Sequence, residues 1–177
     1  AQLDQGLMHH PRQLKFVMIK ARLLAHSGDT AAAIQLLESS PAAGRDGVQL
    51  RQMLGAMYQQ QGRYEEAVEN YRTLLAFTPS AGPAWVGLAI SLDALGDAEA
   101  PDAYRRALEL EGNNPDVMIA LARAYLRAGR YSYAKELLAD VISMDSGNSM
   151  AYQYLGFAQL RMKETIDAIK SYRQAVE

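Results

Sequence analysis

The chain of 177 residues is 49% hydrophobic and 21% charged, a composition that supports a substantial apolar core beneath a charged surface. Its formal net charge of -2 gives no general electrostatic reason to bind nucleic acid or an anionic membrane, so any charge preference must be local. The absence of cysteine excludes disulfides, thiolate zinc sites and a cysteine nucleophile, and no apolar run reaches the ~18 residues that a membrane span requires.

Amphipathic helices joined by short turns are predicted along the chain, because apolar residues recur at spacings of three and four. The turns centre on Gly28, Gly62, Gly96 and Gly129, at spacings of 34, 34 and 33 residues, and the same register continues to Lys163. In chain order, we predict a partial helix at 1–13 and then helical hairpins at 14–47, 48–81, 82–114, 115–148 and 149–177, which form a single array. The first hairpin is less regular, and a long loop is predicted at 41–47.

Particular residues recur at matching positions of successive hairpins. They include Leu54-Gly55, Tyr58, Gly62-Arg63-Tyr64, Ala67 and Tyr71; then Leu88-Ala89, Ala100 and Tyr104; then Leu121-Ala122, Tyr125, Gly129-Arg130-Tyr131 and Ala134; and finally Leu155-Gly156, Ala168 and Tyr172. Small residues such as Gly55 let two helices approach closely, and large residues such as Tyr71 and Trp85 are predicted to fill the volume between hairpins. Over nearly the whole chain, this pattern resembles the tetratricopeptide repeat (TPR) family. The resemblance implies an all-α fold, a right-handed α-solenoid of antiparallel helical hairpins.

The stretch 84–96 also resembles repeats of bacterial pilus-biogenesis and secretion proteins. This second resemblance favours a location in the bacterial cell envelope, on its periplasmic side. It favours a role within a larger envelope, pilus or secretion assembly.

Residues with catalytic or metal-binding potential are sparse. The chain has three histidines, His9, His10 and His26, and no Asp or Glu completes a ligand spacing near His9 and His10. Metalloprotease, phosphate-loop and nucleophile-elbow motifs are absent. We therefore predict no catalytic residue, no metal site, no cofactor and no enzymatic activity. Eight of the ten tyrosines occupy recurrent positions and are expected to pack, which leaves Tyr133 and Tyr154 without a scaffold role.

A peptide-binding surface is implied by the family resemblance, because in this family the first helices of successive hairpins line a concave groove. The pattern assigns to that groove Lys15, Met18, Ile19, Arg22, Gln52, Met53, Val86, Ile90, Ile119, Arg123, Arg127, Tyr154, Phe157 and Arg161. Five basic residues against Asp93 and Asp116 make this row locally positive, and its Met, Ile and aromatic residues suit adaptable peptide binding. The alternative is that these apolar residues only pack beneath neighbouring helices.

The expected ligand is an apolar or amphipathic protein segment with some acidic residues. The Lys and Asn pair with which some family members grip a C-terminal carboxylate is absent, since Met18 and Arg22, or Gln52 and Ala56, occupy those positions. No nucleic acid partner and no membrane insertion of this segment are expected.

Two further hypotheses compete with that of a scaffold for another protein. Uncapped ends would let copies of the chain self-associate. The repeat pattern becomes more regular after 112–114, and both ends of the chain fall inside repeats. These features would also fit an engineered or chimeric array without a native ligand.

Overall fold

The protein is described by a computed structural model over residues 11–40 and 44–177, and this part of the chain consists of helices and the turns between them, without strands. Its ten helices are α1 (Pro11–His26), α2 (Thr30–Glu38), α3 (Gly44–Gln60), α4 (Tyr64–Phe77), α5 (Gly82–Leu95), α6 (Ala100–Glu111), α7 (Pro115–Arg127), α8 (Tyr131–Met144), α9 (Ser149–Arg161) and α10 (Thr165–Gln174). The all-α prediction is confirmed. The predicted partial helix at 1–13 lies mostly outside the described residues, as do His9 and His10.

The helices group into two compact units, Ala1–Leu95 and Gly96–Glu177. In the first unit, α1 packs on α2, α3 on α4 and α4 on α5, and the first helices α1, α3 and α5 lie side by side. In the second unit, each helix from α6 to α10 packs on the next, and α7 also contacts α9. The boundary falls at Gly96, inside the stretch predicted as hairpin 82–114.

The predicted turn positions adopt the left-handed conformation that ends a helix. The φ angles are 91° at Gly28, 70° at Gly62, and 71° at both Gly96 and Gly129. Lys163 has a φ of 66° although it is not glycine. The repeat register therefore dictates the backbone conformation even where the favoured residue is missing.

The predicted loop at 41–47 is wrong in its second half, because α3 already begins at Gly44. The residues 41–43 lie outside the described part of the chain. Gly47 is buried, and Leu50 one turn later is only 2% exposed. Burial of this helix outweighs the helix penalty of glycine, which is only about 1 kcal/mol per residue.

Small residues and aromatic rings interlock between the helices as predicted. In the first unit, a Cβ added to Gly55 would lie only 2.5 Å from the Cζ of Tyr71. In the second unit, the ring carbons of Tyr172 lie 3.1 Å from the corresponding position on Gly156. Trp85 differs from the prediction, because its ring is only partly buried and its Nε1 donates a hydrogen bond of 2.9 Å to the Pro79 carbonyl.

Candidate functional site

A cleft of about 680 Å³ lies between the first helices α1 and α3 of the first unit, and we name it cleft 1. Its lining residues are Met18, Arg22, Ala25, His26, Gln49, Gln52, Met53, Ala56, Met57 and Gln60. The contact between α1 and α3 brings the two rows together, and the short side chains of Ala25 and Ala56 leave space between them. Four residues of the predicted groove, from both helices, thus share one cleft.

The lining of cleft 1 combines adaptable apolar side chains with polar groups. Met18, Met53 and Met57 contribute thioethers, which adjust their rotamers to irregular surfaces. Arg22 is exposed and forms no ion pair within the described residues. Its guanidinium can therefore meet a carboxylate on a ligand.

A second cleft, of about 440 Å³, lies between the first helices α7 and α9 of the second unit, and we name it cleft 2. It is lined by Arg123, Leu126, Arg127, Gln153, Tyr154, Phe157 and Tyr172. Phe157 is 40% exposed, so part of an apolar ring faces solvent here. Arg123 and Arg127 are exposed one helical turn apart, which places two guanidinium groups beside the aromatic residues.

Several residues of the predicted row lie on the expected helices but outside these clefts. Lys15 and Ile19 are exposed on α1, and Ile19 keeps 58% of its surface accessible. Val86 and Ile90 belong to α5, where Val86 is half-buried and Ile90 is 43% exposed. These residues line neither cleft 1 nor cleft 2.

The placement of Ile119 and Arg161 differs more strongly from the prediction. Ile119 is 7% exposed and belongs to the core, so it offers no surface to a ligand. For this residue, the alternative of simple packing is correct, because helical periodicity does not separate a groove position from a buried flank. The guanidinium of Arg161 lies 5.2 Å from the ring centre of Tyr131, a cation–π contact within the protein. Asp93, counted among the acidic residues of the row, is buried.

A third cleft lies outside the predicted groove, and we name it cleft 3. It measures about 440 Å³ and is lined by Arg105, Leu108, Glu109, Asn113, Leu121, Tyr125, Tyr133, Glu136, Leu137 and Asp140. Cleft 3 lies between the second helices α6 and α8, whereas the predicted groove is formed by first helices alone. The available signal was Tyr133, one of two tyrosines without a recurrent scaffold position.

The strongest titration shifts belong to packing tyrosines rather than to residues lining a cleft. Burial raises the pKa of Tyr71 to about 12, and burial together with a hydrogen bond to Glu38 raises the pKa of Tyr58 to about 12. Burial also raises the pKa of Tyr104. These shifts mark desolvated phenols between helices and not an acid–base pair.

Residues 11–40 and 44–177 contain neither a cluster of metal-binding side chains nor a membrane-spanning helix. No group of three or more His, Cys, Asp or Glu side chains in these ranges could hold a metal ion. None of the described helices combines the length and the apolar character needed to cross a bilayer.

Relatives of known sequence share the repeat pattern. Sequence profiles described as tetratricopeptide repeat match residues 18–39, 53–116 and 98–155. The "Cellulose synthase operon protein C" of Pseudomonas fluorescens (strain SBW25) is 30% identical over 128 residues, which covers 72% of this chain and 10% of that protein. The chain thus spans only about a tenth of the length of this relative.

Solved structures show the same fold at lower sequence identity. A crystal structure of MamA protein superposes with a TM-score of 0.87 at 23% identity, covering 94% of this chain and 92% of that one. MamA 41-end from Desulfovibrio magneticus RS-1 gives a TM-score of 0.85 at 15% identity, with 92% and 93% coverage. The predicted solenoid fold is confirmed by these likenesses. Because the repeat profiles match most of the described residues, the chain belongs to the tetratricopeptide repeat family.

Proposed function

We propose that this chain is a non-catalytic scaffold that holds an apolar or amphipathic, partly acidic segment of another protein in clefts 1 and 2. The observation that carries the proposal is the same in both units. Adjacent first helices leave a cleft in which an arginine lies beside apolar side chains that are at least partly exposed, such as Met18 and Met53 in cleft 1 and Phe157 in cleft 2. Tetratricopeptide repeat proteins typically bind protein or peptide partners.

Cleft 1 suits a ligand that presents an apolar side chain and a carboxylate together. The thioethers of Met18 and Met53 can rearrange around an aliphatic or aromatic side chain. Arg22 then pairs with the carboxylate, while the amides of Gln52 and Gln60 can bond to the ligand backbone.

Cleft 2 suits a ligand with similar chemistry but with more aromatic contact. Phe157 and Tyr154 provide a rigid apolar surface of the kind that contributes most of the energy in protein interfaces. Arg123 and Arg127 favour acidic residues in the same ligand segment.

A protein partner fits these surfaces better than a nucleic acid does. Each cleft contains only one or two arginines, which is too few for the dense phosphate contacts that nucleic acid binding requires. The strongest titration shifts lie on packing tyrosines that line neither cleft 1 nor cleft 2. The relative named for a cellulose synthase operon supports a place in a larger bacterial assembly, and we propose the cell envelope as its compartment.

The assignment of cleft 2 is tested with defined peptides and two matched variants. The probes are fluorescent helical peptides that carry leucine and glutamate on one face, or leucine and arginine as the comparison. Phe157→Asp should weaken binding of the acidic peptide by at least about tenfold, because it removes an aromatic anchor and adds a repelling charge. Leu160→Asp is the control, since Leu160 lies on the same helix at 49% exposure but outside the cleft. Equal losses in both variants, or none in Phe157→Asp, would remove cleft 2 from the proposal.

The assignment of cleft 1 is tested by methyl NMR on protein labelled at methionine. Addition of the acidic peptide should shift the methyl signals of Met18, Met53 and Met57, while Met144 and Met150 serve as references outside the cleft. Arg22→Glu should abolish the shifts by placing like charges together. Uniform shifts across all assigned methionines, or shifts that persist in Arg22→Glu, would contradict a specific site.

Self-association is the second candidate function, favoured by an exposed apolar face on α10. Ile166 and Ile169, one turn apart, are 73% and 57% exposed, and Val176 beyond the helix is 84% exposed. A second copy could cover these residues. Light scattering over a concentration series should then show a mass that rises with concentration in the wild type and stays monomeric in Ile169→Glu. A monomer at every concentration excludes this function and leaves the peptide-binding test unaffected.

A further inference from the structure

Cleft 3 has an apolar floor and walls from two separate helices. The side chains of Leu121 and Tyr125 on α7 are 3% and 8% exposed and form the floor. Leu108 on α6 and Leu137 on α8 are half-buried along the two walls. The cleft therefore offers the apolar base and polar rim that are typical of a protein-docking site.

The aromatic side of cleft 3 is open to solvent. The ring of Tyr133 is 59% exposed, and its centre lies 5.6 Å from that of Tyr125 at a tilt of 36°. The repeat pattern does not require a tyrosine at this position, so scaffold packing does not account for it. An exposed tyrosine face attracts apolar groups and also cations, especially guanidinium.

The charge along the rim of cleft 3 is unbalanced. Among the rim residues, Arg105 is matched by Asp102 at 2.6 Å, and Glu109 is matched by Arg106 at 2.6 Å. The remaining two carboxylates, Glu136 and Asp140, follow one turn apart along α8. They are exposed and form no ion pair within the described residues. Two like charges at this spacing repel each other, so a cation placed between them is favoured.

We propose that cleft 3 docks a cationic amphipathic segment of a partner protein. An arginine or lysine of that segment lies between Glu136 and Asp140 and against the ring of Tyr133. An apolar residue one turn away packs on Leu121 and Tyr125. The carboxylates repel nucleic acid and anionic lipid surfaces, so the cationic ligand must come from a protein.

This site goes beyond the proposed function, because it prefers the opposite ligand charge and uses a different face of the same unit. Helix α7 contributes Arg123 and Arg127 to cleft 2 but Leu121 and Tyr125 to cleft 3. The two clefts share no lining residue. One copy of the chain could therefore hold an acidic segment in cleft 2 and a basic segment in cleft 3 at once.

The test is a charge-reversal experiment on the full chain with two defined probes. The probes are alanine-based helical peptides carrying leucine and arginine on one face, or leucine and glutamate in the same positions, each with a fluorescent label. The wild type should bind the arginine peptide, and Glu136→Lys with Asp140→Lys should weaken that binding at least about tenfold. The control is Glu111→Lys with Asp167→Lys, which changes the net charge equally at exposed positions outside the cleft.

The position of the bound cation is tested with Tyr133→Ala. This variant should lower the affinity for the arginine peptide about fivefold and leave the affinity of the glutamate peptide for cleft 2 unchanged. The proposal is overturned if the control pair weakens the arginine peptide as much as the cleft pair does, since the effect would then be one of overall charge. It is also overturned if the wild type does not bind the arginine peptide while circular dichroism shows it folded. Failure at cleft 2 would be seen with the other peptide, so the two proposals fail separately.

Discussion

The ring of Tyr71 lies against the α carbon of Gly87, so closely that a methyl group at Gly87 would overlap the ring. Tyr71 comes from the second helix α4 and Gly87 from the next first helix α5. Gln59 of α3 adds a second link at the same place, since its amide nitrogen donates to the Gly87 carbonyl at 2.7 Å. The contact between α4 and α5 therefore combines one ring, one amide and the absence of a side chain at Gly87.

Gly87→Ala should destabilise the protein by up to about 2 kcal/mol. Alanine favours the helix by about 1 kcal/mol relative to glycine, but forcing a methyl group into a packed interior costs about 1–3 kcal/mol. The free energy of unfolding is measured by urea denaturation followed with circular dichroism. In a Tyr71→Leu background the same substitution should become neutral or stabilising, because the ring is gone. A stabilised single variant would disprove this account of the contact.

Lys163→Gly should stabilise the protein by about 0.5–1 kcal/mol. Lys163 has a φ of 66°, a conformation that costs an L-residue about 1–2 kcal/mol and that glycine adopts freely. Part of the gain is lost because glycine has more freedom in the unfolded chain. The midpoint of thermal unfolding should rise by about 1–4 °C. The reciprocal change Gly129→Lys should lower the midpoint of thermal unfolding. If the midpoint falls in both variants, contacts of the Lys163 side chain stabilise the protein more than the backbone conformation destabilises it.

Lys135 and Glu164 should show a measurable coupling between the last two hairpins. The Lys135 ammonium lies 2.8 Å and 2.6 Å from the two carboxylate oxygens, and both side chains are partly shielded from solvent. We expect a coupling free energy of about 0.5–1 kcal/mol from a double-mutant cycle with Lys135→Met and Glu164→Gln. Sodium chloride should reduce this coupling free energy, because salt screens the attraction between the two charges. The exchanged pair, Lys135→Glu with Glu164→Lys, should recover most of the coupling free energy. If the effects of the two single substitutions simply add, the pair contributes nothing to stability.

Two buried tyrosines should make the protein less stable at high pH. Tyr58 and Tyr71 have pKa values of about 12 in the fold, above their ordinary value of 10.0. The folded protein holds these protons more tightly than the unfolded chain does. The two phenols therefore contribute fully to the free energy of unfolding below pH 10, and this contribution is lost as the pH rises toward 12. Tyrosinate absorbance should show a late phase that decreases in Tyr71→Phe. A single titration near pH 10 in folded protein would contradict the burial of these phenols.

The repeat positions made much of the fold predictable. Gly28, Gly62 and Gly129 end helices because the left-handed turn favours a residue without a Cβ, and this preference is local. Gly55 and Tyr71 were assigned to helix contacts because a small residue facing a large one recurs with the period of the hairpin. The start of α3 at Gly44 was missed because burial of later residues in that helix overrides the weak local signal of glycine.

The candidate sites were only partly predictable. Met18, Arg22 and Met53 were predictable as parts of one groove because the family resemblance implies that the first helices of neighbouring hairpins line it. Ile119 fits the same periodic pattern and yet is buried. The spacing of residues along a helix indicates which face turns inward, but the distance to the next helix decides whether its flank stays open.

By itself, the sequence determined the all-α class, the hairpin period, the turn positions and the family. These follow from local backbone preferences and from contacts that repeat at a constant separation along the chain. Only the tertiary structure decided that Phe157 stays open while Ile119 is covered, and that Tyr133, Glu136 and Asp140 of α8 border a cleft against α6. It also decided the pairing of Lys135 with Glu164. These features depend on how far apart neighbouring helices lie, which the combined packing of many side chains sets and no single repeat encodes.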